Sequence, residues 1–363
     1  GTTTQTLISG GTDATHDFYM LTHSGAGDLD ISTNDLSVAG ILTQSGSGDF
    51  NTSGLDMTAA GLVVSGGTFN TDARAGTWDI GTTGVSVGAS DTLTATSGNM
   101  YVAGNIAITA TGVFTHNSGT VIIDGTCSLT STTETFNNIT IGTDSASGAL
   151  TLADTADFDG TLSFNTTGGT AVLDMGSQTL TYAGSSLDMT NCDTFTSSGS
   201  TFEFDSGSKQ TLNTNGESFG NITHSGAGEL ELSTNNILVE ATLTQSGAGD
   251  FDTGALDITA AGIVVSGGTF NTEGKAGAWD IGTTGVDIGA SGDLTATSGA
   301  MTVGGDFNHA GTFTHNSGTV TFNEGGTTST LTAPAGGTTF NNLTCSTASK
   351  PLVFTSGDTF TVS

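Results

Sequence analysis

Phe114-Thr115-His116-Asn117-Ser118-Gly119-Thr120-Val121 is written again, letter for letter, at Phe313–Val320. The octet holds a histidine, a serine and two threonines, so it carries the ingredients of half an active site. A catalytic histidine needs a positioned nucleophile or acid and an orienting partner, and no Gly-x-Ser-x-Gly elbow occurs. Repetition argues the same way. A structural unit recurs naturally along a chain, whereas an active site rarely does. His116 and His315 therefore read as turn residues at strand ends.

The octet belongs to a larger repeat, and internal periodicity decides fold before anything else does. "HSGAGDLDIS" from His23 returns as "HSGAGELELS" from His224. "AAGLVVSGGTFNT" from Ala59 returns as "AAGIVVSGGTFNT" from Ala260, and Trp78–Val85 returns as Trp279–Val286. These pairs lie 201 residues apart, the octet 199, and Leu150 and Phe158 match Leu352 and Phe360 at 202. The repeat units are 1–201 and a shorter 202–363. A smaller marker, Phe136-Asn137-Asn138-Ile139-Thr140, resembles Phe340–Thr344, with weaker copies at Phe219–Thr223 and Phe18–Thr22.

Within each unit the text is made of short alternating lines such as "LDIS", "LVVS", "WDIG" and "VIIDG", each closed by Gly or Ser. Alternation with β-branched residues predicts half-buried strands, and the glycines supply turns. No sustained 3.6-residue period appears. Landmarks recur every 19 to 21 residues, as from Phe50 to Phe69 and from Gly98 to Gly119. Three short strands and three turns fit that length. The predicted fold is all-β: one continuous parallel β-helix, or β-solenoid, of about 18 coils over 1–363. The expected hand is right, and a rung spacing of about 4.8 Å implies a rod on the order of 85 Å long. The inward ladder is expected to use Phe50, Phe69, Phe114, Val121, Ile123, Phe136, Phe219, Phe251, Phe270, Phe313 and Phe340. Stacked Asn138, Asn221 and Asn342 are expected to hydrogen-bond along it.

Composition removes several functions. The 363 residues include 56 Gly, and charged residues make up 11%, against roughly 25% in an ordinary domain. Arg74, Lys209, Lys275 and Lys350 are the only Lys or Arg, against 35 Asp and Glu, for a formal charge of −31. Nucleic acid needs a cationic stripe, which four scattered cations do not make, and an anionic membrane surface is excluded likewise. No run of 18 apolar residues exists to insert in a bilayer. The opening Gly1-Thr2-Thr3-Thr4 does not read as a signal peptide. No cap-like coil is legible at either end, so a longer array or end-to-end stacking of chains is expected.

The remaining candidates are local. A polysaccharide-degrading site needs paired carboxylates, and lyases usually add Arg or Lys. Arg74 is matched by Lys275, and Asp72 and Glu273 stand two residues before them, so local ion pairs are expected. Trp78 and Trp279 could offer a carbohydrate platform. "GAGDLD" and "GSGDF" faintly resemble Gly-Asp calcium repeats, which makes Asp28, Asp30, Asp49, Glu229, Glu231 and Asp250 the calcium candidates. Asp28 and Asp30 become Glu229 and Glu231 in the second copy, as a solvated face allows, and no other cofactor is indicated. Thr-x-Thr pairs (Thr94/Thr96, Thr109/Thr111, Thr295/Thr297, Thr330/Thr332) lack the one-per-coil spacing of an ice-binding grid. Asn51, Asn138, Asn165, Asn221 and Asn342 begin N-x-S/T sequons. Cys127, Cys192 and Cys345 have no metal spacing. Three coils separate the first two, too far for a disulfide, so buried thiols are expected.

"GTFTHNSGTVTF" (Gly311–Phe322) and "TFNNLT" (Thr339–Thr344) resemble repeats of large secreted bacterial proteins, similar in style to filamentous-haemagglutinin and autotransporter passenger β-helices. The resemblance implies an extracellular or cell-surface adhesin, surface layer or fibre. The expected role is structural and non-enzymatic: a stiff acidic rod whose partner is itself, head to tail. A glycan-binding adhesin stalk is the alternative, and a polysaccharide-degrading β-helix the third reading.

Overall fold

The computed structural model describes residues 1–10, 17–165 and 167–363. Its regular elements are all β-strands, which pair in parallel and wind as a β-solenoid of about 17 turns. Parity explains the winding. In the strand Trp78–Val87, Trp78 and Ile80 point inward and Asp79 outward; after a bend, Val85 and Val87 point inward and Ser86 outward. The bend needs Gly84, which has φ +77°, and a Cβ there would run into the backbone of Asn105. Only glycine meets both conditions without strain. In the next coil the same path is divided into the strands Asn99–Val102 and Ile106–Ile108, both paired to Trp78–Val87.

The chain divides into two compact units. The first holds Gly1–Leu180 with Asn191–Thr196, the second Thr181–Thr190 with Ser197–Ser363. The first unit has a six-stranded sheet of three-residue strands from Gln5–Leu7 to Val113–Thr115, and a 13-stranded sheet that includes its longest strands, Leu36–Gln44, Met57–Val64 and Trp78–Val87. The second unit has a seven-stranded sheet running from Ser186–Asp188 to Thr312–Thr314. It also contains a larger sheet built on Ile237–Gln245, Ile258–Val265 and Trp279–Ile288. Stacked residues are not evenly spaced in sequence. Leu29 pairs with Phe50, Phe50 with Phe69 and Phe69 with Leu93, so coil length varies while the inward register is kept.

Both units contain the same aromatic column. His23 meets Phe50 at 6.3 Å between ring centroids, Phe50 stacks on Phe69 at 4.8 Å, and Phe69 meets Trp78 edge-on at 5.4 Å. The counterparts His224, Phe251, Phe270 and Trp279 give 6.2, 4.9 and 5.5 Å. Such pairs add about 0.5–1.5 kcal/mol each beyond the area they bury. Phe50, Phe69, Phe114, Phe136, Phe219, Phe251, Phe270 and Phe340 are buried, as are Val121 and Ile123. Phe313 is only half-buried.

Asn138 and Asn221 are half-buried and Asn342 is exposed. They do not bond to one another. Asn138 accepts the amide of Thr161, and Asn221 donates to the Ser200 carbonyl and accepts the amide of Thr242. The side chains tie backbone to backbone across adjacent coils, which an outward position on a strand permits.

Candidate functional site

The repeated octet closes a turn. Gly119 donates to the His116 carbonyl at 2.9 Å, and Asn117 and Ser118 both have positive φ. Gly318, His315, Asn316 and Ser317 repeat this arrangement. His116 and His315 are half-buried, and each accepts a backbone amide on Nδ1, from Ser118 at 2.9 Å and from Ser317 at 3.0 Å. Two successive positive-φ residues define the primed turn that joins strands tightly. The imidazoles cap that turn.

Trp78 and Trp279 do not form a platform. They are 0% and 1% exposed, because their parity turns them into the aromatic column. The cations beside them differ. Lys275 pairs with Glu273 at 3.0 Å. Arg74 instead donates to the Ser53 carbonyl, and Asp72 accepts from Asn51. The expected ion pair is therefore present in the second unit, while Arg74 and Asp72 each take another partner.

The calcium candidates do not converge. They occupy outward positions on successive rungs, and among the described residues no three His, Cys, Asp or Glu come together to hold a metal ion. Asp28 accepts the amide of Asp49. Glu229 and Glu231 are bridged by the ammonium of Lys209, at 3.1 and 2.8 Å. These pairs are exposed and salt-screened, and so contribute little to stability.

Thr96 and Thr297 are interior. Thr96 Oγ1 accepts the amides of Gly76 and Gly98, each at 2.9 Å, and donates to the Gly76 carbonyl; Thr297 does the same with Gly277 and Gly299. Of the three cysteines, only Cys127 and Cys192 are buried. Cys345 is exposed, which corrects the expectation of three buried thiols. It stacks on Phe322 in an inward register, yet its strand ends the sheet and nothing covers it. Burial pushes the Cys127 thiol up to about 12. A thiol reagent should label Cys345 within minutes in the folded protein and reach Cys127 and Cys192 only in denaturant. Fast labelling of all three would show that the corners open.

One buried polar pair was not assigned from sequence. Gln44 is fully buried where a strand enters a glycine corner. Its Nε2 donates to the carbonyls of Gly46 and Gly48 at 2.9 and 2.6 Å, and its Oε1 accepts from His23 Nδ1 at 2.6 Å. Gln245 repeats this with Gly247, Gly249 and His224, at 3.0, 2.7 and 2.6 Å. Because the amide nitrogen is used on carbonyls, the proton of each imidazole must sit on Nδ1. Nε2 is then a buried atom with no partner in both histidines. The sequence signal was a His or Gln in the inward register before Ser-Gly-x-Gly, at His23, Gln44, His224 and Gln245.

These groups give a pH dependence of known sign. Desolvation lowers the proton affinity of His224, against the opposing effects of Gln245, Gly228 and Asp250, and likewise lowers that of His309. Their stabilising contribution is complete above the ordinary value of 6.5 and is lost as pH falls through the window below it. Desolvation raises Asp252 and Glu217, so their contribution is lost as pH rises from the ordinary carboxylate range through their raised values. The contribution of these four groups to the urea midpoint of the second unit should therefore pass through a minimum in the mildly acidic interval between the two windows, where both are lost, and recover as pH rises through 6.5. A midpoint that peaks in that interval would contradict this.

A cleft of about 390 Å³ in the first unit lies beside Tyr101, Ile122, Asp124 and the loop carrying Asp144. Tyr101 stands in register between Asp79 and Ile122, and Ile122 pairs with Thr140. Burial pushes the Asp124 carboxyl up, the charge of Asp79 adds to this, and a hydrogen bond to its own backbone opposes it. Asp124 Oδ1 is closed off from solvent with no partner. In the second unit a cleft of about 330 Å³ includes Asp280, Asn323 and Glu324.

No family model, curated protein or solved structure matches this chain. Its reading rests on its own geometry.

Proposed function

We propose that the chain is a structural segment of an extracellular filament or giant cell-surface protein, without catalytic activity, assembling through coil-to-coil stacking with copies of itself. The supporting observation is where apolar surface remains. Of the eight large apolar side chains exposed among the described residues, six lie near the two ends of the chain: Ile8, Tyr19 and Met20, and Val353, Phe354 and Val362. The other two, Val113 and Leu238, lie within the units. An open solenoid edge also presents unpaired backbone groups that invite a further rung. Head-to-tail contacts that do not close generate an open filament. The strongly acidic surface keeps such assemblies soluble and apart laterally.

Negative-stain microscopy and light scattering test this. Purified chains should form concentration-dependent linear assemblies, and Tyr19→Lys with Phe354→Lys should leave them as single particles with unchanged circular dichroism. Wild-type protein that stays monomeric at millimolar concentration would overturn the self-association. The adhesin-stalk alternative loses its platform with the burial of Trp78 and Trp279.

A further inference from the structure

We propose that the edge formed by Leu352–Phe354 and Phe360–Val362 takes as its next coil a segment with the sequence character of Ala171–Leu180, supplied by another repeat of this kind. The inference rests on the coil-stacking reading and names what stacks. Among the described residues Leu352–Phe354 pairs with Ser329–Leu331 alone, and Phe360–Val362 with Thr338–Phe340 alone. The first unit contains the same rung in covered form. Leu352 and Phe354 pair with Ser329 and Leu331 as Leu150 and Leu152 pair with Cys127 and Leu129. Val362 pairs with Phe340 as Phe158 pairs with Phe136. Leu150, Leu152 and Phe158 are 1%, 3% and 0% exposed, whereas Leu352 is half-buried and Phe354 and Val362 are 45% and 58% exposed. Phe354 and Phe360 already meet edge-on at 5.0 Å, so the apolar face is assembled in advance.

The occupant follows from the covered copy. There Ala171–Asp174 forms the next rung, with Ala171 on Gly148 and Leu173 on Leu150. Ala171, Leu173, Met175 and Leu180 are all fully buried. Backbone direction agrees. In a parallel ladder every second residue bonds to one neighbouring strand, and the residues between bond to the other. Ala149 and Ala153 donate to the preceding coil, at Gly125 and Leu129, while Gly148 donates to Thr170 of the following one. Thr355, the counterpart of Ala153, donates to the preceding Leu331. The amides of Leu352 and Phe354 are therefore the ones directed at a following coil. Main-chain pairing then supplies affinity, and the inward side chains supply specificity.

Fluorescence anisotropy of a dye-labelled peptide of residues 167–182, titrated with the full chain, tests the proposal. Saturable one-to-one binding is expected. A peptide carrying Leu173→Asp and Met175→Asp should bind about tenfold or more weakly, as should the wild-type peptide to Phe354→Lys or Val362→Lys chains. Both protein positions are exposed, so these variants are compatible with the fold. Tyr19→Lys, at the other exposed apolar group, should leave peptide binding unchanged. Hydrogen exchange gives the local readout: bound peptide should slow the amides of Leu352 and Phe354 and leave that of Thr355 as it was. No saturable binding, equal binding of the Asp-substituted peptide, or unchanged exchange at Leu352 and Phe354 would overturn the assignment. Peptide binding by chains that never assemble would uphold this inference and remove the stacking of copies. Assembly that excess peptide neither joins nor blocks would remove this inference alone.

Discussion

Trp279→Ala should cost about 3–5 kcal/mol of unfolding free energy, the range for removing a large aromatic from a packed core. Trp279 is 1% exposed and closes a column in which Phe270 lies on Phe251 at 4.9 Å and meets the indole edge-on at 5.5 Å. Deleting it leaves a void lined by groups that cannot collapse, because their backbones are held in register by the coils on either side. Trp279→Phe should cost far less, under about 1.5 kcal/mol, as a swap that keeps most of the volume. It also removes the indole N–H, which is buried without a partner. Urea unfolding followed by far-ultraviolet circular dichroism checks both. An alanine variant within about 1 kcal/mol of wild type would mean that the column is loosely packed.

The second large effect is expected at Gln245. Gln245→Leu keeps the volume but strands the carbonyls of Gly247 and Gly249 and the Nδ1 proton of His224, all facing a dry interior. Each buried group left unpaired costs about 1–3 kcal/mol, so a loss of about 3 kcal/mol or more is expected. Hydrogen exchange adds a local readout: amides of Gly247 and Gly249, which bond to the preceding coil, should exchange faster than those of Trp279 and Ile281. A leucine variant as stable as wild type would show that water enters the corner and satisfies these groups.

The fold was legible because a solenoid is written in local text. Alternation set the inward side of each strand, and turn residues marked where the chain bends. Phe50 and Phe69, and Phe251 and Phe270, are stacked partners that sequence spacing paired directly. The same parity rule places Trp78 inside, since Ile80 is two residues on and Asp79 between them is exposed; reading the indole as a platform set this rule aside. Thr96 and Thr297 were harder, because each follows a strand end, where alternation ceases to report direction. The candidate cleft was not legible. Tyr101, Asp124 and Asp144 meet only when three coils are laid in register.

Sequence alone determined the all-β class, the coil period and the apolar ladder, because each depends on neighbours within about one turn of chain. Tertiary structure alone decided which polar groups are enclosed and which carboxylates share a cleft. Those outcomes depend on residues about 21 or 22 positions apart, as with His23 and Gln44, brought together by coils of unequal length. A difference of two residues in one corner moves such partners onto or off the same face, and hydrogen bonds and charges respond to that at the scale of an ångström.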